Sequence, residues 1–259
     1  MFDDADRYER FMGRWSRLLA PELATFAGVQ RGEHLLDVGT GTGALAAHLA
    51  THNAPSRIAA IDLSANYVEI AKANHATAGI EFEVGDAMRL PFADADFDRV
   101  LSMLALNFVP DPRAALGEMR RVTRRGGTVA VAVWEYGDGM QMLRHFWDAA
   151  ALVDSGAAAR DERHMPCCTE AELGALWHGA GLCDIEVTGL TVAQRFADFD
   201  DFWRPFELRT GPAGALVAQL SPAQRDSLRA LLRERTLGAG PDRPFGLTAR
   251  AVAARGLVP

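Results

Sequence analysis

Short apolar runs alternating with stretches of helical periodicity dominate the first half of the chain. The runs HLLDVG (34–39), RIAAID (57–62), IEFEVGD (80–86), DRVLSML (98–104) and TVAVAVWE (128–135) have strand length. Between them, apolar side chains recur every three or four residues, which predicts helices over Gly43–His52, Ser64–Thr77 and Asp111–Arg124. Ahead of this pattern, ADRYERFMGRWSRLLAPELATFA (5–27) has helical spacing with an expected break at Pro21, giving two short helices.

After Trp134 the alternation loosens. A helix is expected from about Gly139 to Asp154, followed by the small-residue segment SGAAARDERHMPC. Thr169 and Glu172 then form a capping box at the start of TEAELGALWHGAGL. A strand CDIEVTGLTV, a helical region DFDDFWRPFELR, a helix after Ser221-Pro222 and a last apolar run PFGLTARAVAA complete the chain. With these two late strands the reading is an α/β doubly wound, mainly parallel seven-stranded sheet with helices on both faces. The expected division is a helical lid over 1–30, a core over 31–136, 169–196 and 244–259, and cap insertions over 137–168 and 197–243. Insertions at such positions commonly serve as a lid or a pocket wall.

Composition narrows the function. Hydrophobic residues make up 49% and charged residues 24% of 259 residues, enough to bury a substantial core. The net charge of −7 is opposite to the basic footprint that phosphate backbones require, so no nucleic-acid partner is expected. The arginines of RRVTRRGG, Arg120, Arg121, Arg124 and Arg125, read as cations in the last turns of a helix ending at Gly126-Gly127. The start, MFDDADRYERF, carries no signal-like apolar run, and no stretch reaches membrane-spanning length, so a cytoplasmic protein without an integral membrane segment is expected. Cys167, Cys168 and Cys183 have no metal-ligand spacing, and no metal site is expected.

The stretch LLDVGTGTGALA (35–46) carries the most specific chemistry. Glycine tolerates positive φ and removes the side chain, so a glycine-rich turn from strand into helix lets a ligand lie against the backbone. The following helix also presents its amides and positive dipole end to a carboxylate or phosphate. GTGTGA also fits the dinucleotide pattern, and Asp62, 21 residues beyond Gly41, could hold the ribose of NAD. Two further acids favour another ligand. Asp37, inside D-x-G-x-G-x-G, would repel a pyrophosphate but receive an ammonium group. Asp86, closing the third strand in EVGDAMRLPF, can accept from an adenine amino group. Three acids at successive strand ends suit an amino-acid tail, a ribose and an adenine, together S-adenosylmethionine.

Over residues 8–135 the sequence resembles the class I S-adenosylmethionine-dependent methyltransferases of Rossmann-like fold, within the ubiquinone and menaquinone C-methyltransferase branch. YERFMGRWS, LLDVGTGTGALA, AAIDLS and VGDAMRLPFADADFDRVLSMLALNFVPDPRAALGEMRRVTRRGGTVAVAVW carry the likeness, in that order. It implies that Asp37, Gly39, Thr40, Gly41 and Gly43 hold the methionine end of the cofactor, Asp62 and Leu63 the ribose, and Asp86 and Ala87 the adenine. It also implies that Ser102, Met103 and Leu104 lie beside the sulfonium, and that Arg14 and Trp15 belong to a helix closing over it. Helix packing explains Tyr8, Phe11 and Trp15 equally well.

Displacement at a sulfonium releases a neutral leaving group, so orientation can supply roughly 7–11 kcal/mol of the barrier and a base is needed only for a protonated acceptor. No base is assigned; His164 in ERHMP leads a weak field that includes His145, His178 and Glu135. Trp134, Phe202, Trp203 and Phe206, with Phe146, Trp147 and Phe199, suggest a small hydrophobic or aromatic acceptor. LNFVP stands where DNA amino-methyltransferases carry N/D-P-P-Y/F, and the DFDDFWRPFELRTGPAG insertion departs from quinone methyltransferases. S-adenosylhomocysteine would be the product. An NAD-dependent oxidoreductase and a non-catalytic S-adenosylmethionine-binding protein are the alternatives, and monomer and homodimer both remain open.

Overall fold

Each strand expected in the first half forms; the inner strands bury apolar residues on both faces of a sheet, whereas the edge strand over 81–84 buries only Phe82. The computed structural model describes residues 9–259; Tyr8 and the acidic start lie outside the described residues. In chain order the elements begin with α1 (Arg14–Phe26), β1 (His34–Val38), α2 (Ala44–His52), β2 (Arg57–Asp62), α3 (Ala65–Asn74) and β3 (Glu81–Val84). They continue with β4 (Phe97–Met103), α4 (Pro112–Val122), β5 (Thr123–Trp134), α5 (Gln141–Val153), α6 (Glu170–Gly179) and β6 (Cys183–Phe196). The last are α7 (Phe199–Glu207), α8 (Gly211–Gln219), α9 (Pro222–Leu237) and β7 (Phe245–Leu257).

The seven strands are ordered β3-β2-β1-β4-β5-β7-β6. The pairs β1–β2, β1–β4, β2–β3 and β4–β5 are parallel, and β5–β7 is antiparallel. Strand order reverses beside β1, which has β2 on one side and β4 on the other. That is the switch point at which doubly wound sheets receive ligands, outside the carboxyl ends of the strands.

Two units divide the described chain. The sheet unit comprises 16–134, 166–190 and 251–259. Its core includes Leu36, Val38, Ile61, Val100, Val129 and Val131 from the strands, packed with Leu116 and Met119 of α4 and Leu173 and Trp177 of α6. Asp111 caps α4 through the amides of Arg113 and Ala114, with Pro112 in the first turn where its missing N–H costs nothing. The capping box of Thr169 and Glu172 forms as expected. The second unit, 9–15, 135–165 and 191–250, is mostly helical. Within it α5 packs on α9, and α7 packs on α8. No helix among the described residues is long and apolar enough to cross a membrane.

Two local expectations are corrected. Pro21 does not break its helix: α1 runs through it, and burial of Leu19, Ala20, Leu23 and Ala24 offsets the lost backbone bond. Residues from Ser16 onward group with the sheet unit. The helix expected up to Arg124 ends at Val122, and Thr123 is already extended. Arg124 and Arg125 lie in β5 instead of a helical last turn, with Arg124 on Asp98 and Gly126 at φ 71° turning the chain. The stretch after Thr210, to which the sequence reading gave no element, forms helix α8, with Pro212 in the first turn where proline is at home.

Candidate functional site

The carboxyl ends of β1, β2, β3 and β4 lie along one edge of the sheet, because all four strands run parallel. Asp37 pairs in register with Ala60 of β2 and Leu101 of β4, so this acid is flanked by backbone on both sides. It is 1% exposed. The Thr40 hydroxyl donates to its Oδ2 at 2.7 Å, whereas Oδ1 is buried with no hydrogen-bond partner. Burial pushes the Asp37 carboxyl up to about 7; the Thr40 bond and the facing Ala46 amide oppose this, and the charge of Asp62 adds to it. A buried carboxylate oxygen without a donor is expensive, and a cationic N–H group would relieve it.

The glycine turn is stitched to β2. Gly39 and Thr40 donate to the Ile61 carbonyl at 2.8 and 2.9 Å, and Gly41 donates to Asp62 Oδ2 at 2.8 Å. Asp62 Oδ1 accepts from the Ser64 amide at 2.9 Å, so each oxygen of this acid fixes one loop. Burial raises the Asp62 pKa, and the two backbone bonds oppose the rise. Gly39, at φ 75°, has no room for a side chain, since a Cβ there would be driven into Ala105. Gly41, at φ 54°, faces open space within 4 Å, the condition for a ligand to approach the backbone. Gly43, at φ 90°, precedes α2 without any side-chain cap, leaving that helix N-terminus suited to an anion.

Beyond the loop, Leu63 is 73% exposed and Val84 52% exposed, two apolar side chains at the ends of adjacent strands. Asp86 Oδ1 accepts from the Met88 amide at 2.8 Å, and Asp86 and Ala87 are half-buried. Ser102 and Met103 are buried at the end of β4. Leu104 follows at φ 62°, a left-handed conformation unusual for a branched side chain, with its amide held by the Ala132 carbonyl at 2.7 Å. The sheet unit thus brings Asp37, the glycine turn, Asp62, Leu63, Asp86, Ala87 and Met103 to one edge. Trp134, at the end of β5, is fully buried.

The other sequence candidates lie in the helical unit. Arg14 forms a bidentate pair with Asp201, at 2.7 and 3.2 Å, and lies over the Phe196 ring. Trp15 packs on Phe196. Phe202, Trp203 and Phe206 are buried, with Phe206 stacked on Phe146 at 4.6 Å and edge-on to Phe11. These rings form the unit's packed core. His164 is exposed in the short turn Glu162–His164. The perturbed acid of that turn is Glu162, which sequence reasoning did not single out: burial pushes it up to about 7 against the Trp147 Nε1–H bond. Asn107 was also missed; its environment is visible only in the fold.

The chain is similar to known methyltransferases over the strands that form this edge. The profile of a methyltransferase domain matches residues 36–131. Rv1405c of Mycobacterium tuberculosis, an uncharacterised protein, is 36% identical over 118 residues, covering 45% of this chain and 42% of its own length. A demethylmenaquinone methyltransferase of Renibacterium salmoninarum is 37% identical over 145 residues, covering 52% of this chain and 58% of that protein. The chain thus spans less than two thirds of either relative. Among solved structures, phosphoethanolamine N-methyltransferase 2 of Haemonchus contortus with S-adenosylhomocysteine superimposes with a TM-score of 0.62. It is 19% identical, with 98% of this chain and 57% of that chain covered, which establishes the shared fold.

Proposed function

We propose that the protein uses S-adenosylmethionine to methylate a small hydrophobic or aromatic molecule, its residues 36–131 matching the profile of a methyltransferase domain. The observation that carries this reading is Asp37: a buried acid with one unpartnered oxygen, beside an uncapped helix N-terminus and a glycine facing open space. An α-amino acid has the matching ammonium and carboxylate groups. Asp37 would receive the ammonium, the Gly39–Gly43 turn with Thr40 the carboxylate end, Asp62 the ribose hydroxyls, Leu63 a face of the adenine, and Asp86 with Ala87 the adenine amino edge. When bound, the cofactor supplies an electrophilic methyl group on a sulfonium.

The chain's own residues then bind, orient and exclude water. Met103 and Ser102 form a dry wall at the end of β4, and the bonds from Gly41 and Ser64 to Asp62 hold the turn fixed before binding. In-line displacement would draw chiefly on this orientation. Acceptor selectivity is assigned to segments 137–168 and 197–243, where the sequence departs from quinone methyltransferases, and Trp134, Phe202, Trp203 and Phe206 remain its aromatic candidates. NAD is disfavoured because Asp37 would face its pyrophosphate.

Calorimetric titration with S-adenosylmethionine, S-adenosylhomocysteine and NAD tests this. Micromolar binding of the two sulfur compounds and none of NAD is expected; NAD binding alone would overturn the reading. Methyl transfer to any acceptor in a screen of quinols and phenols separates an enzyme from a non-catalytic binder.

A further inference from the structure

Asn107 is 4% exposed, and its Nδ2 amide is buried without a hydrogen-bond partner. It occupies the single turn Leu106–Phe108 that follows β4. Backbone bonds already hold this turn: Phe108 donates to the Ala105 carbonyl at 2.9 Å, and Val109 to the Leu106 carbonyl at 3.2 Å. The side chain is therefore not needed as a cap. Leu106, its neighbour, is anchored in the apolar core of the sheet unit. A leucine at this position would suit such surroundings without a stranded donor, because buried amides without partners are rare and costly.

Position gives the amide its use. Ala105, two residues earlier, presses on Gly39 so closely that no Cβ fits there. Leu104, between β4 and Ala105, takes a left-handed conformation at φ 62°. Asn107 thus belongs to the β4 end that borders the glycine turn, at the switch point between β1 and β4. We propose that Asn107 is an acceptor-binding residue whose Nδ2–H donates to an oxygen of the methyl acceptor, selecting carbonyl, phenol or enol compounds over amines. An amide does not titrate in the working range, so the residue positions the acceptor and takes no proton from it. The inference rests on the methyltransferase reading and refines it.

The experiment uses the full chain saturated with S-adenosylhomocysteine and titrated with 1-naphthol or, as a control of like shape lacking the oxygen, 1-naphthylamine. Asn107→Leu and Asn107→Asp are compared with the parent; the second keeps the shape and exchanges the donor for an acceptor. Expected are about tenfold weaker 1-naphthol binding in both variants, S-adenosylhomocysteine affinity unchanged within about twofold, no preference for the amine, and an Asn107→Leu melting temperature no lower than the parent's. Equal 1-naphthol affinity in parent and variants overturns the proposal. So does a parent that does not bind 1-naphthol, or joint loss of S-adenosylhomocysteine affinity, which would assign the amide to the cofactor. Failure of the parent to bind S-adenosylhomocysteine is a different result, since it removes the methyltransferase reading itself.

Discussion

Replacing Asp37 by asparagine tests the site through stability, with no ligand present. The carboxyl is held at about 7 in the folded protein against an ordinary value of 3.8. Between those values the folded chain binds more protons than the unfolded one, so stability falls as pH rises through the window and is level above it. At about 1.4 kcal/mol per pH unit, the full cost of the ionised acid above pH 7 is roughly 4 kcal/mol. The asparagine variant would carry no such cost: its side-chain oxygen can accept from the Thr40 hydroxyl as Oδ2 of Asp37 does. Its NH₂ group would take the place of the unpartnered oxygen at a penalty of about 1–3 kcal/mol that does not vary with pH. The pH-dependent part is therefore the cleaner quantity. Relative to the parent, Asp37→Asn should gain about 3 kcal/mol between pH 5 and pH 8, read from urea unfolding at both values. Asp62, whose pKa burial also raises, is present in both proteins and largely cancels. A constant difference between the two proteins at both pH values would refute the claim that burial holds this acid protonated.

Four further outcomes follow from the same geometry. Cofactor binding that pairs Asp37 with an ammonium should ionise it, so S-adenosylmethionine affinity should rise from pH 6 to pH 8 with release of up to about one proton, measurable by calorimetry in buffers of different ionisation enthalpy. Gly39→Ala should lose more than about 3 kcal/mol of stability through the collision with Ala105. Gly41→Ala should lose only about 1–2 kcal/mol, the cost of its left-handed backbone, while losing cofactor affinity at least as strongly; equal destabilisation would contradict the open space at Gly41. Asp62→Ala should weaken S-adenosylmethionine binding by about 1–3 kcal/mol, and unchanged affinity in a folded variant would remove its ribose role. Ser221→Ala, which deletes the Gln224 amide bond of the α9 capping box, should cost about 1 kcal/mol and speed amide exchange in the first turn of α9, without touching cofactor affinity.

Much of the sheet unit was legible because its signals are local. Strand length, apolar periodicity, Asp111 before Pro112 and the Thr169–Glu172 box all act within a few residues. The errors fell where a distant partner outweighed a local preference. Pro21 disfavours a helix, but buried neighbours on both sides keep α1 continuous. Arg124 looked like a helix-end cation until Thr123 entered the sheet and Asp98 took the charge. The pairing of Arg14 with Asp201, 187 positions away, was not legible either, since neither residue's surroundings in sequence announce it.

By itself, the sequence determined the alternation that builds a doubly wound sheet, the glycine turn and the three acids at strand ends. Each of these follows from backbone sterics or from a two- or four-residue period, quantities carried by the chain locally. Only the tertiary structure decided that Asp37 is buried with an oxygen unpartnered, that Gly41 leans on Asp62 21 residues away, and that Asn107 is buried without a partner. Desolvation and hydrogen-bond completeness depend on what the rest of the fold brings alongside a group, so they arise only when strands far apart in sequence lie side by side.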